Sequence, residues 1–401
     1  GSAHGLNDAS GERHEIYETT PVAWLTKQLG PAEGTQDVRR RPALDSIAAA
    51  GVETGIPGIA VALVGPDGSI STGAAGVADR RTDRPFAPGA HIHAGSTTKA
   101  VTAAAVLLLV DRGELALTDT LTNLVRSRVV EPIPHANRMT VLQLLEHRTG
   151  LYSPNNDPRY LGRYIGPERT ELPFWTPEEI AGFAADPSND PLFEPGQEQA
   201  YGDINYVLLA LIVRDVAGEP FKAFVRREIF RPLQMRGSWY LSDRPDAPRA
   251  RGYTMESEII RSIGLDPALE ADEDGYIDTT DAQERSDGAA GIISTVVDLG
   301  RFAHAVTHTD FLAPESRALF RGAAERIGTE DDDEALGILR GYAFDGRRLL
   351  TSEGDGPGTN VIWALDPETG RIAVAAANLF GRWDEADLLL NDLIPAVLAV
   401  D

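Results

Sequence analysis

The sequence predicts an α+β protein. An antiparallel sheet built from both chain ends is covered by helices, and a mainly helical domain is inserted between its halves. Three observations carry this. Two apolar runs around a Pro-Asp-Gly turn, GIAVALV-GPDG-SISTGAAGVA, form a hairpin early in the chain. A second hairpin, NVIWAL-DPETG-RIAVAAANL, lies near its end. The stretch between is rich in prolines and loops and helical in its periodicity. The boundaries that follow are 1–40 for an N-terminal extension, 41–115 with 286–401 for the sheet domain, and 116–285 for the helical domain.

Residues 1–40 are polar and broken by Gly and Pro, with one amphipathic piece at 22–29, and read as an extension wrapped on the body. RRPALDSIAAAG is the first strong helix signal. Residues 97–114 are apolar nearly all round, which marks a buried helix. TVLQLLEHRTG and NYVLLALIVRDVAG are helical, the second closed by Gly. Nine acids and a single basic residue, Arg285, fall between 266 and 287, the pattern of a solvated loop. GIISTVVDLGRFAHAV is a helix with a Ser or Thr cap. Pro395 predicts a kink in the last helix, 384–400.

At 401 residues the chain can bury a large core. Its net charge of −24 argues against nucleic-acid binding, which needs a basic stripe, and against docking on anionic lipid. No apolar run approaches the ~18 residues of a membrane span. There is no cysteine, so disulfides, thiolate chemistry and Cys-held metals are excluded. The chain starts Gly1-Ser2, as a trimmed chain would, so either a cytoplasmic location or export after loss of a signal peptide is compatible.

The chemistry concentrates in Ser96-Thr97-Thr98-Lys99. The chain has 17 serines and three lysines, so a chance S-x-x-K is expected only about 0.1 times. At i and i+3 on a helix the two side chains share a face. Ser96 stands at the helix start, where unpaired N–H groups and the dipole favour a developing alkoxide. Burial would lower the Lys99 pKa, and a neutral amine could take the serine proton. The alternative is an N-capping serine with a snorkelling lysine.

Other stretches bear on that choice: GIPGIAVALVGPDGSISTGAAGVADRRTDRPF, HAGSTTKAVTAAAVLLLVDRGELALTDTL, TVLQLLEHRTGL, FEPGQEQAYGDINYVLLALIVRDVAGEPF, FRPLQMRGSWY, GAAGIISTVVDLGRFA and GDGPGTNVIWALDPETGRIAVAAAN. With these, the sequence resembles the serine β-lactamase and DD-peptidase superfamily, most closely its class C and esterase-like branch, from about residue 45 to the end. The resemblance implies a β-lactamase/transpeptidase-like fold, a nucleophile at Ser96 and its partner Lys99. It also implies a Tyr-x-Asn element, here Tyr201-Gly202-Asp203, in which Tyr201 passes a proton to the leaving group.

Two positions depart from the family pattern. Asp203 stands where most relatives carry Asn, and an ionised Asp only accepts hydrogen bonds. It either salt-bridges Lys99 and keeps it protonated, or orients a cationic or hydroxylic substrate group. The family's Lys/His-x-Gly element reads Ser352-Glu353-Gly354, without the cation that holds a substrate carboxylate in penicillin-recognising relatives. Glu353 and Asp355 would repel such a carboxylate, although strand alternation sets Glu353 on the face opposite Ser352 and Gly354. By the resemblance, the Asp355 N–H joins that of the nucleophile in the oxyanion hole.

His91 and His93 share a strand face and read as a metal pair lacking a third ligand or, more simply, as edge residues. His147 is read as structural, and Trp363 as core in preference to a substrate wall. The expected function is a serine hydrolase or acyltransferase on a small-molecule or peptide acyl substrate, without cofactor: an esterase, a D-amino-acid peptidase or amidase, or a transacylase. The rival readings are a non-catalytic binding or sensor module on the same fold, and a true β-lactamase.

Overall fold

The computed structural model describes residues 38–126, 128–262, 264–326, 340–344, 347–380 and 388–401. The chain divides into Gly1–Asp37 and Val38–Asp401, and the first unit, with most of the expected extension, lies outside the described residues. The strands are β1 (Val38–Arg40), β2 (Gly58–Val64), β3 (Ile70–Asp79), β4 (Arg84–Pro85), β5 (Ile92–His93), β6 (Trp239–Tyr240), β7 (Tyr253–Met255), β8 (Tyr276–Asp278), β9 (Ile292–Ser294), β10 (Arg340–Phe344), β11 (Arg347–Gly356), β12 (Thr359–Leu365), β13 (Ile372–Ala377) and β14 (Leu379–Phe380). Five helices matter most here: α1 (Pro42–Val52), α2 (Thr98–Asp111), α3 (Asp203–Ala217), α4 (Val296–His308) and α5 (Ile394–Leu398).

The main sheet runs β1-β3-β2-β13-β12-β11-β10, with β4 paired to β3. Both ends of the chain build it, and both expected hairpins are present as β2–β3 and β12–β13. One correction applies: β1 pairs parallel to β3, so the sheet is not purely antiparallel, and Val38–Arg40 belongs to it and not to the extension. Strand alternation sorts the side chains of β2 cleanly. Ala60, Ala62 and Val64 face one core, and Ile59, Val61 and Leu63 face the other. The first core includes α2, α3 and α4, and the second is covered by α1 and α5. Two small three-stranded sheets, β5-β9-β6 and β14-β7-β8, draw strands from within the expected helical segment.

The helix signals are realised. Twelve of the fourteen residues of α2 are buried, which explains its apolar girth. Gly218 ends α3 in the left-handed region at φ 68°. Thr295 caps α4 by accepting from Asp298 N, and Thr140 and Gln143 form a capping box on the Val141–Leu145 helix. Residues 384–387 of the expected last helix lie outside the described residues. From 388 a π-type turn, Leu388–Leu393, leads into α5, and Pro395 stands in the first turn of α5. Among the described residues, no helix is long and apolar enough to cross a membrane.

Candidate active site

Ser96 sits in one 3₁₀ turn, Gly95–Thr97, between β5 and α2. Two glycines let β11 lie directly against this turn. A Cβ on Gly354 would stand 2.0 Å from Ala94 O and 2.8 Å from Ser96 N, and one on Gly95, whose φ is +52°, would stand 2.7 Å from Asp355 N. The Ser352-Glu353-Gly354 element therefore lines the nucleophile at backbone level.

Lys99 lies in the first turn of α2 and is 1% exposed. Its Nζ donates to Ser96 Oγ at 2.9 Å and to Ala289 O at 3.2 Å, and ion-pairs with Asp203 Oδ1 at 2.6 Å. The carboxylate charge beside Nζ, together with these two acceptors, favours an ammonium over a neutral amine. Burial pulls the Lys99 pKa down, but the Asp203 charge and the Tyr201 oxygen outweigh it and hold it above the ordinary lysine value. This corrects the expectation of a neutral, burial-depressed amine: at rest Lys99 is a cation.

Asp203 is the first residue of α3, where the helix dipole favours a carboxylate. Burial works against its ionisation, yet the Lys99 charge and the hydrogen bonds of Lys99 and Asn155 bring its pKa below the usual carboxylate value. Asn155 Nδ2 donates to the second oxygen at 2.6 Å. Of the two roles open to Asp203, the structure shows the ion pair.

Tyr201 Oη and Ser96 Oγ are 2.8 Å apart. The Lys99 Nζ stands 4.8 Å from the Tyr201 ring centroid. Tyr201 as a residue is 44% exposed. Loss of hydration around the hydroxyl raises its pKa above the ordinary phenol value, against the pull of Lys99, so it rests as a neutral phenol. His147 holds this side in place. It is fully buried, its ring is 4.7 Å from that of Tyr201, and its Nδ1 accepts from Gly202 N at 3.3 Å and lies 3.1 Å from Asn205 Nδ2.

Sequence reasoning missed Glu284. The acidic stretch is not solvated throughout: Glu284 and Asp266 are buried, and Asp287 is half-buried. Glu284 Oε1 accepts from Tyr160 Oη at 2.8 Å and from Ser286 Oγ at 2.5 Å, and the Glu284 carbonyl meets His93 Nε2 at 2.7 Å. Burial, with the Asp203 charge added, pushes the Glu284 pKa up to about 7. Tyr160 and Tyr164 wall this carboxyl, and both are neutral because burial and its charge raise their pKa values. No spacing rule separates the buried Glu284 from the acids around it, most of which face solvent, and Asn155 carries no local signal either.

Of the predicted site residues, Ser96, Lys99, Tyr201 and Asp203 converge. Gly354 abuts them through its backbone. Ser352 is buried opposite Trp363 of β12, on the same face of the sheet, and Trp363 is core. Glu353 pairs with Ile362, which belongs to the other core, so it faces away from Ser96. The repulsion expected from Glu353 is thereby removed, and what remains is the absence of a cation at Ser352. Asp355 is solvent-exposed beside the turn. His91 packs edge-on against Trp239 at 4.6 Å, and among the described residues no group of three or more His, Asp or Glu could hold a metal.

A family model described as Beta-lactamase matches residues 44–394. The chain belongs to the beta-lactamase family. Among relatives of this beta-lactamase-family chain, penicillin-binding protein 4* of Bacillus subtilis is 24% identical over 71% of this chain and 59% of its own length. Esterase EstB of Burkholderia gladioli is 31% identical over 47% of this chain and 48% of its own length. The chain spans 41% to 59% of the length of the first three curated relatives it matches. The crystal structure of D-amino acid amidase from Ochrobactrum anthropi SV3 superposes with a TM-score of 0.74 at 23% identity, over 89% of this chain and 97% of that one, so the two share a fold.

Proposed function

We propose that this protein is a serine hydrolase or acyltransferase that acts on an ester or amide through an acyl-enzyme on Ser96. One observation carries the reading: Ser96 Oγ is bonded at once to Lys99 Nζ at 2.9 Å and Tyr201 Oη at 2.8 Å, while Asp203 closes the relay behind Lys99 at 2.6 Å. A capping serine with a snorkelling lysine needs none of this.

The resting charges set the order of proton movement. As Ser96 Oγ attacks the carbonyl carbon, its proton passes to Lys99 Nζ and a Lys99 proton passes to Asp203 Oδ1, so no second positive charge forms. The oxyanion is assigned to the backbone N–H groups of Ser96 and Asp355. When the C–O or C–N bond breaks, Tyr201 gives its proton to the leaving group and is refilled from Lys99, which recovers its proton from Asp203. The acyl-enzyme and a neutral leaving group result, with the starting charges restored. Water, an amine or an alcohol then takes the acyl group through the reverse relay.

The lining supports a neutral ester, an amide or a substrate with a free amine over a β-lactam. Ser352 replaces a cation, and the one lysine present is neutralised by Asp203. The test is intact-protein mass after a fluorophosphonate, beside turnover of p-nitrophenyl esters, D-amino-acid amides and penicillin, for wild type and Ser96→Ala. An adduct on wild type alone, with turnover of esters or amides but not penicillin, is expected. No adduct and no turnover moves the reading to a binding module, and rapid clearance of a penicillin adduct makes the protein a β-lactamase.

A further inference from the structure

A second site lies away from the catalytic residues, where the segment after α3 turns into β6. A cavity of about 610 Å³ opens there, lined by Arg231, Arg236 and Arg244 around Phe230, Met235 and Trp239. The volume falls within the range of small-molecule sites. The three aromatic and apolar side chains are buried and the arginines stand exposed around them.

The charges are unusual for this chain. It carries 61 acidic against 37 Lys and Arg residues, and arginines such as Arg80, Arg159 and Arg227 each find carboxylates. Arg231, Arg236 and Arg244 have no carboxylate partner among the described residues. The one acid in the lining, Asp243, is already engaged by Arg226 at 2.7 Å and Lys222 at 2.8 Å. Arg244 instead lies over the Trp239 ring, 4.7 Å from its centroid. In a protein of net charge −24, three neighbouring unneutralised guanidinium groups make a local positive field, and planar forks of this kind match carboxylate and phosphate oxygens.

The backbone is irregular at the same place. Arg226–Phe230 is a π-type turn, a feature frequent at functional sites. Gln234, not a glycine, holds φ at +54°, and its carbonyl accepts from Arg236 N at 2.9 Å and Arg301 Nη1 at 3.0 Å. These two irregularities bring Arg231 and Arg236 to one cavity. The buried indole N–H of Trp239 has no acceptor among the described residues.

We propose that this cavity binds a small organic anion, its carboxylate or phosphate held by Arg231, Arg236 and Arg244 and its apolar or aromatic body seated on Phe230, Met235 and Trp239. The site is independent of the hydrolase reading, since none of its residues touches Ser96, Lys99, Tyr201 or Asp203. It is joined to them through the β6-β9-β5 sheet, whose β5 leads into the Ser96 turn, and through the Arg226–Phe230 turn, which packs on α2.

Calorimetric titration of the full chain tests this with phenyl phosphate, phthalate, inorganic phosphate and phenol, for wild type and for Arg231→Gln/Arg236→Gln. At least one aryl anion is expected to bind saturably and at least 10-fold tighter than inorganic phosphate or phenol. Comparing phenyl phosphate with phthalate identifies the preferred head group. The double variant is expected to bind that anion at least 10-fold more weakly, with Tm within a few degrees of wild type and ester turnover within twofold. Binding weakens as salt rises. The proposal is overturned if neither aryl anion binds wild type, if the variant binds as well, or if inorganic phosphate binds as tightly. Self-association that the double variant abolishes also overturns it, because the arginines then serve a second copy of the chain.

Discussion

Asp203→Asn removes one charge and keeps the shape, so it isolates what the carboxylate does. Two unit charges 2.6 Å apart interact by about 6 kcal/mol at an effective dielectric of ~20, equivalent to roughly 4 pH units of lysine basicity. Burial, the largest influence opposing the charge on Lys99, would then act against a much weaker counterforce. The Lys99 pKa is expected to fall by about 2–4 units, which brings a neutral amine into the assay range. The chain has three lysines, Lys27, Lys99 and Lys222, so ¹⁵Nζ-lysine NMR across pH can follow Lys99 directly. In wild type it should stay protonated to beyond pH 10. In the variant kcat/KM should gain a rising limb that tracks the new Lys99 titration. Stability follows the same pair. The raised Lys99 pKa contributes stability present in full below the ordinary lysine pKa of 10.5 and lost as pH rises through the folded value. The lowered Asp203 pKa contributes stability present above 3.8 and lost as pH falls through the folded value. Between those limits the variant should be less stable by about 3–5 kcal/mol, less whatever Lys99 regains by shedding its proton. Lys99 titrating at the same pH in both proteins would refute the reasoning.

Glu284→Gln should remove an inflection near pH 7 from the kcat/KM profile, because the carboxyl that faces Asp203, Lys99, Tyr160 and Ser286 ionises at about 7. Its raised pKa means wild-type stability falls as pH rises from 4.5 through about 7, and thermal melts of the variant should show a flatter decline over that window. Tyr201→Phe should lower kcat by about 10²–10⁴-fold with little change in Tm, while the fluorophosphonate still labels Ser96 more slowly. Gly354→Ala places a methyl 2.0 Å from Ala94 O and 2.6 Å from Thr97 N, backbone atoms that cannot yield singly. The shift of β11 should lower kcat/KM by about 100-fold or more in a protein that still folds by circular dichroism.

The sequence alone determined the α+β class, the two hairpins and the S-x-x-K and Tyr-x-Asp elements. The first three rest on local signals, period-two apolar runs around turn residues and a Ser and Lys three apart at the head of an apolar helix, and the Tyr-x-Asp element rests on the resemblance to the family. It left open whether Lys99 is neutral, because Ser96–Lys99 spacing says nothing about a carboxylate 104 positions further along. Tertiary structure decided that by setting Asp203 2.6 Å from Nζ, where a charge pair outweighs burial. It likewise separated Glu284 from the solvated acids around it, turned Glu353 away from the nucleophile, and gathered Arg231, Arg236 and Arg244 at one cavity. In each case the deciding quantity is an electrostatic distance or a degree of burial between residues far apart in the chain, and local sequence pattern carries no record of either.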